Sequence, residues 1–294
     1  MLFRSRPLRP LQRWLAVAAG IILVVGLLSF SSVRASAISF LSLFRIVNFV
    51  AVPVDPTRLR ALDDDHLNLE RLIGDHIQVL SDPGPPQPVA TPGEAAAIAG
   101  LELKMPRWLP ADTKIIEVAV TGERAARITA DSKRLEELMD ALGITDLRAP
   151  AGLDGQVVTI RVHPIVMVRF ESGLSHGRRT RFMQARTPEV LMPAGVNTSA
   201  LGEIGLRMLG VPSDTARKFA ASIDWNTSLV VPVPPTVSSF RQVEIGGRPG
   251  VVMQYQPPNE SPTTMLLWSK GDRVFAMQSI LGSEQVLSMA DSVQ

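Results

Sequence analysis

Read as hydrophobic and polar positions, the chain's longest early feature is a block that carries no charge. Trp14 to Val33 is apolar or neutral throughout, and Arg4, Arg6, Arg9 and Arg13 precede it. Twenty residues at about 1.5 Å each reach roughly 30 Å, the thickness of a bilayer's hydrocarbon core. Ile38 to Val54 is apolar too, but Arg45 and Asn48 interrupt it. It reads as a surface helix running into a strand at Ile46 to Val54. Asp55-Pro56 has the form of a helix N-cap and first turn, and Leu59, Leu62, Leu69, Leu72 and Ile73 follow as a broken helical stripe. Ser81 to Gly93 holds five prolines and reads as an extended linker.

The pattern beyond the linker is better punctuated. Thr91-Pro92-Gly93-Glu94 is a capping box that opens a short helix stopped by Gly100. Leu101 to Met105 and Thr113 to Thr121 read as strands. Asp131 to Leu142 is an amphipathic helix with Leu135, Leu138, Met139 and Leu142 on one face and Gly143 beyond its end. Gln156 to Phe170 and Thr180 to Ala185 are strand-rich. Thr198 to Ser222 predicts two short helices around Gly210-Val211-Pro212. The last third is a meander: Ser239 to Ile245 and Val251 to Gln256 flank Gly246-Gly247, and Thr264 to Ser269 and Arg273 to Ile280 flank Gly271-Asp272. A helix starts at Ser283. Hairpins with inserted helices predict an α+β fold on an antiparallel sheet, preceded by a single N-terminal transmembrane helix.

Charge changes the picture in one respect. The formal +2 belongs to the tail, because the first 33 residues hold four of 30 Lys/Arg and none of 28 Asp/Glu, which leaves −2 from Arg34 onward. The footprint of a nucleic-acid binder is therefore missing. There is no cysteine, which excludes disulfides, thiolate metal sites and cysteine nucleophiles. Aromatic residues are few, with Tyr255 the one tyrosine, a poor supply for a stacking platform.

These readings divide the chain into a basic cytoplasmic tail (1–13), a transmembrane signal anchor (14–33), a juxtamembrane segment (34–80), a proline-rich linker (81–93) and an extracytoplasmic α+β domain (94–294). Ala35-Ser36-Ala37 offers a small-x-small cleavage pattern, but a signal's apolar core runs about 7–15 residues, and this one is longer. Under the positive-inside rule the C-terminal part lies outside the cytoplasm, on a single-pass cell-membrane protein.

Four patterns could carry chemistry. Gly173-Leu174-Ser175-His176-Gly177 matches the nucleophile elbow by letters. That elbow needs a helix after it and a later histidine; Arg178-Arg179-Thr180-Arg181 continues as an extended stretch, and no histidine follows His176. It reads as a hairpin turn. Asp63-Asp64-Asp65-His66, with Glu70, Asp75 and His76, gathers possible metal ligands but reads as acids at a helix N-terminus. Leu201 to Ser222 has the outline of a helix-turn-helix but reads as a plain helical hairpin with Leu206, Leu209 and Phe219 inward. His163, directly before Pro164, reads as a packed or edge-strand residue. The sequons at Asn197 and Asn226 match by letters alone. No catalytic, cofactor-binding or metal residue is assigned.

Glu94-Ala95-Ala96-Ala97-Ile98-Ala99-Gly100, then Met105-Pro106-Arg107-Trp108-Leu109-Pro110, is similar to the opening of a bacterial extracytoplasmic domain family of unknown function. Gly247-Arg248-Pro249-Gly250-Val251-Val252, Leu266-Leu267-Trp268 and Leu287 to Ser292 resemble its closing stretch. The resemblance covers roughly 91 to 294, with an insertion from Pro188 to Pro235. It implies a domain carried after one membrane helix, in some cases that of an anti-sigma factor, and offers no catalytic residues. A tail of about 13 residues is too short to fold into a sigma-binding domain. Two prolines around Trp108 and Leu109 predict an ordered turn that docks both side chains into the core.

The reading expected from sequence is a non-enzymatic, membrane-anchored outer-face domain that binds an envelope partner or senses an envelope signal, without nucleic acid. An alternative is a lipid or lipoprotein carrier with an apolar groove on a curved sheet. A hydrolase is a remote third.

Overall fold

A computed structural model describes residues 48–55, 76–173, 178–225, 228–233, 237–255 and 261–294. The predicted membrane helix at 14–33, the stripe from Leu59 to Ile73 and the acidic cluster at 63–66 lie outside the described residues. Among the described residues no helix is long and apolar enough to cross a membrane.

Fourteen strands and five helices are described: β1 (Asn48–Pro53), β2 (Ile77–Ser81), β3 (Gln87–Val89), α1 (Pro92–Ala99), β4 (Lys114–Thr121), β5 (Arg124–Thr129), α2 (Ser132–Ala141), β6 (Val157–Val162), β7 (Ile165–Ser172), β8 (Arg178–Arg186), β9 (Glu189–Leu191), α3 (Thr198–Met208), α4 (Ser213–Ser222), β10 (Ser228–Val233), β11 (Val237–Ile245), β12 (Arg248–Tyr255), β13 (Thr263–Lys270), β14 (Arg273–Ser279) and α5 (Ser283–Asp291). This is an α+β chain, mostly sheet. The large sheet has eight strands in the order β11-β12-β13-β14-β8-β7-β4-β3. Every pairing within it is antiparallel. The hairpins at Gly246-Gly247 and Gly271-Asp272 both belong to it. A second antiparallel sheet has the order β2-β5-β6-β9, and β1 pairs in parallel with β10.

Alternation along the strands decides what the large sheet covers. In β7, Val166, Val168, Phe170 and Ser172 are buried, while Ile165, Met167, Arg169 and Glu171 are half-buried on the other face. The buried set joins Phe182, Leu266, Trp268, Phe275 and Met277 in the main core, which α5 closes with Val286, Met289 and Ala290, and α1 with Ala95. Trp268, Phe182 and Phe275 stack there, with ring centroids 5.1 to 6.2 Å apart.

The described residues cover the opposite face only in part. The β1–β10 ribbon sets Phe49, Val231 and Val233 against Val251 and Met253 of β12. Its other side turns Val52 and Val230 to the small sheet and to α3, α4 and Trp225. A ribbon buried on both faces accounts for the nearly unbroken apolar run that the sequence shows there. α2 packs Leu138, Met139 and Leu142 against Ile204 and Met208 of α3. Gly202 permits close approach within this lobe: a Cβ there would stand 2.1 Å from Cζ2 of Trp225.

Several expectations need correction. The proline-rich stretch is not wholly a linker, because Gln87–Val89 pairs with β4. Ile77–Ser81, from the end of the supposed juxtamembrane segment, pairs with β5. Prolines are compatible with such edge positions. Leu101 to Met105 is not a strand: the Gln184 side chain, not a neighbouring strand, pairs with Lys104, and Met105 O accepts from Gln294 N at 3.4 Å. Gln184 Nε2 donates to Lys104 O at 2.7 Å, and its Oε1 accepts from Lys104 N at 3.0 Å. The Pro106–Pro110 turn is tied to the C-terminal end by backbone, with Arg107 N donating to Ser292 O at 3.2 Å and Pro106 bridging Val293. Leu109 packs on the core, but Trp108 is 43% exposed. Its backbone N–H is held by Ser292 Oγ at 3.0 Å, and the residue is absent from the side chains packed on the main core. Strands β5, β9 and β10 were not foreseen.

Candidate functional site

The patterns singled out in the sequence do not converge. Ser175 and His176 lie outside the described residues. Their flanks are β7 and β8, which pair antiparallel with Ser172 opposite Arg178. A strand stands where the nucleophile elbow needs a helix. Among the candidate ligands only His76 is described; its Nε2 is 3.6 Å from Asp131 Oδ2. Asp131 caps α2, and the Arg134 backbone N–H, with His76 nearby, holds its carboxyl below the usual range. Among the described residues no group of three metal-type side chains comes together. Asn197 caps α3, its Oδ1 accepting from Ala200 N at 3.0 Å, and Asn226 lies outside the described residues. α3 and α4 form a hairpin whose buried side includes Leu206, Ala216 and Ala220, with Phe219 packed alongside.

His163 lies where the chain crosses from the small sheet to the large one, between β6 and β7. Thr187-Pro188 crosses back beside it, from β8 to β9. His163 Nε2 is 3.1 Å from Glu189 Oε1, and Arg161 Nη1 is 3.7 Å from Glu189 Oε2. The pair borders a cleft of about 190 Å³ shared with Arg186, Thr187 and Asp272. Both Glu189 oxygens are engaged, so the cluster fastens the two crossings to each other.

The open band of the large sheet holds a more unusual arrangement. Registers place Glu117 (β4), Arg169 (β7), Arg181 (β8) and Gln278 (β14) in one row across four strands. The row continues into Met265 and Met253, where the β1–β10 ribbon covers it. Arg169 Nη1 is 2.6 Å from Glu117 Oε2. Arg181 Nη1 donates to Gln278 Oε1 at 3.2 Å, and Gln278 Nε2 donates to Tyr255 Oη at 2.6 Å. One step along the strands, Glu171 is shared by Arg179 Nε at 3.7 Å and Lys114 Nζ at 3.6 Å. Arg169, Arg179 and Arg181 border an open depression of about 340 Å³, with Thr263, Gln278 and Ile280.

Sequence reasoning noted the basic stretch after Gly177 but not this cluster. The signal was available: a hairpin centred on Ser175 puts Arg169 opposite Arg181, with Arg179 two residues along on the same face.

No family model, curated protein or solved structure matches this chain.

Proposed function

We propose that this chain is a membrane-anchored domain on the outer face of the cell membrane that binds an envelope partner, and does not turn over a substrate. The observation that carries the reading is the band from Glu117 to Gln278 left open by the described residues, a row of charged and polar side chains across four hydrogen-bonded strands. Such a surface suits recognition. Catalytic and small-molecule sites favour concave, largely apolar pockets with a few convergent polar groups. The arginine-flanked, uncharged run at 14–33 supports the anchor and its orientation. The depressions beside His163, Arg181 and Lys270 hold about 190, 340 and 380 Å³, each lined in part by charged side chains. A carrier of lipid would favour a long apolar groove instead.

The test is a photo-crosslinking residue placed at Ile280 on the rim of the band, in the full chain in cells. An adduct is expected at Ile280, lost when Arg181→Glu is added, and absent from the same residue at Leu191 on the small sheet. Equal adducts from both positions, or none from Ile280, would overturn the proposal.

A further inference from the structure

Like charges directly opposite each other on neighbouring strands destabilise a sheet. Arg169 and Arg181 stand in that relation. Glu117 pairs with Arg169 and offsets part of the repulsion. Among the described residues Arg181 is paired with no carboxylate. It gives one N–H to Gln278 Oε1, and the bond from Gln278 to Tyr255 keeps that amide oxygen turned toward the guanidinium. Two side chains thus fix the direction of an exposed cation that costs the sheet stability where it stands. Of the five N–H donors of a guanidinium, most remain for something else.

Charge narrows what that is. Lys114, Arg169, Arg179 and Arg181 face two carboxylates, Glu117 and Glu171, which leaves a surplus of two positive charges on this patch. A carboxylate brings one negative charge and two oxygens. A phosphate monoester brings about −1.5 to −2 at neutral pH and three acceptor oxygens. Planar guanidinium forks suit such a group, since each can give two parallel N–H bonds. We propose that Arg181, with Arg169 and Arg179, binds a phosphate monoester on the open face of the large sheet. This rests on the preceding reading of that face as a binding surface, and adds the chemical group the surface takes. The bound dianion would neutralise the repulsion between Arg169 and Arg181, so binding and stability are coupled.

The experiment uses the full chain in detergent micelles and inorganic phosphate as the probe, against acetate at matched ionic strength. Phosphate is expected to raise the melting temperature saturably. Arg181→Gln should melt higher than the parent without phosphate, because the like-charge contact is gone, and should bind phosphate about tenfold more weakly or worse. Arg127→Gln, an exposed arginine of the small sheet, should change neither property. Phosphatidic acid in the micelles and soluble glycerol 3-phosphate separate the sources of the group. Tighter binding of the lipid names a headgroup, and equal binding names phosphate esters in general; either carries the proposal. Absence of saturable phosphate binding, acetate binding as tight as phosphate, or binding unchanged in Arg181→Gln would overturn it. If phosphate fails while the Ile280 adduct forms, this inference falls and the proposed function stands. If phosphate binds and the adduct does not form, the reverse holds.

Discussion

Single side chains decide matters here that hydropathy does not reveal. Gln184 is nearly fully buried, yet it is polar, and its amide acts as a one-residue strand for Lys104. Gln184→Leu should therefore leave the Lys104 N–H without a partner at a cost of about 1–3 kcal/mol. Hydrogen exchange at that amide should quicken; protection equal to the parent's would refute the pairing. Trp108 shows the opposite case. Its flanking prolines imply a buried anchor, and the turn is indeed fixed, but by its backbone N–H groups, Arg107 N donating to Ser292 O and Trp108 N to Ser292 Oγ. With 43% of its surface exposed, Trp108→Ala should cost about 1 kcal/mol. Trp268→Ala, in the aromatic stack, should cost about 3–5 kcal/mol. Comparable losses in the two variants would show that the Trp108 ring is packed after all.

Among the elements, those whose ends are marked by chemistry were the most legible. α1 has Thr91 accepting from Glu94 N, Glu94 reaching back to Ala90 N, and Gly100 in the left-handed conformation. α2 and both late hairpins were read correctly for the same reason. β2, β3 and β9 were not, because they are strands of three to five residues at or near sheet edges. Their side chains are mostly exposed, and alternation has too few positions to register. β5 carries Arg124 and Arg127 among alanines and lacks the β-branched run of a typical strand. β1 was legible as a strand, but its partner β10 lies far along the chain, and nothing local names a parallel pairing over that distance.

The tie between α3 and the segment that follows α2 is electrostatic. Arg207 gives two N–H bonds of 2.8 Å to the two oxygens of Asp146. The Arg207 guanidinium holds the Asp146 carboxyl below its ordinary value, and Asp146 raises that of Arg207. A lowered carboxyl value in the folded state means that the pair's contribution is fully present above the unfolded value of about 3.9, and is lost as pH falls through the folded one. Asp146→Asn should therefore melt below the parent at pH 7, and the gap should close below about pH 4. A gap that persists unchanged at pH 3 would contradict the assignment.

For the molecule as a whole, composition and periodicity gave the class and most of the eight-stranded sheet. They did not show how the chain shuttles. It leaves the large sheet after β4, builds β5, α2 and β6, returns for β7 and β8, and leaves again for β9, α3, α4 and β10. The arginine row arises from that return, through the register of the β7–β8 hairpin, and no residue of it carries a motif. The proposed function depends on which side of the membrane this face is presented. The most direct measurement is the activity of an export-dependent reporter fused after Gln294 in the full chain. An outward-facing domain gives a reporter active outside the cytoplasm and silent within it, with that orientation reversed or weakened when Arg4, Arg6, Arg9 and Arg13 are neutralised. A reporter active only in the cytoplasm would contradict it.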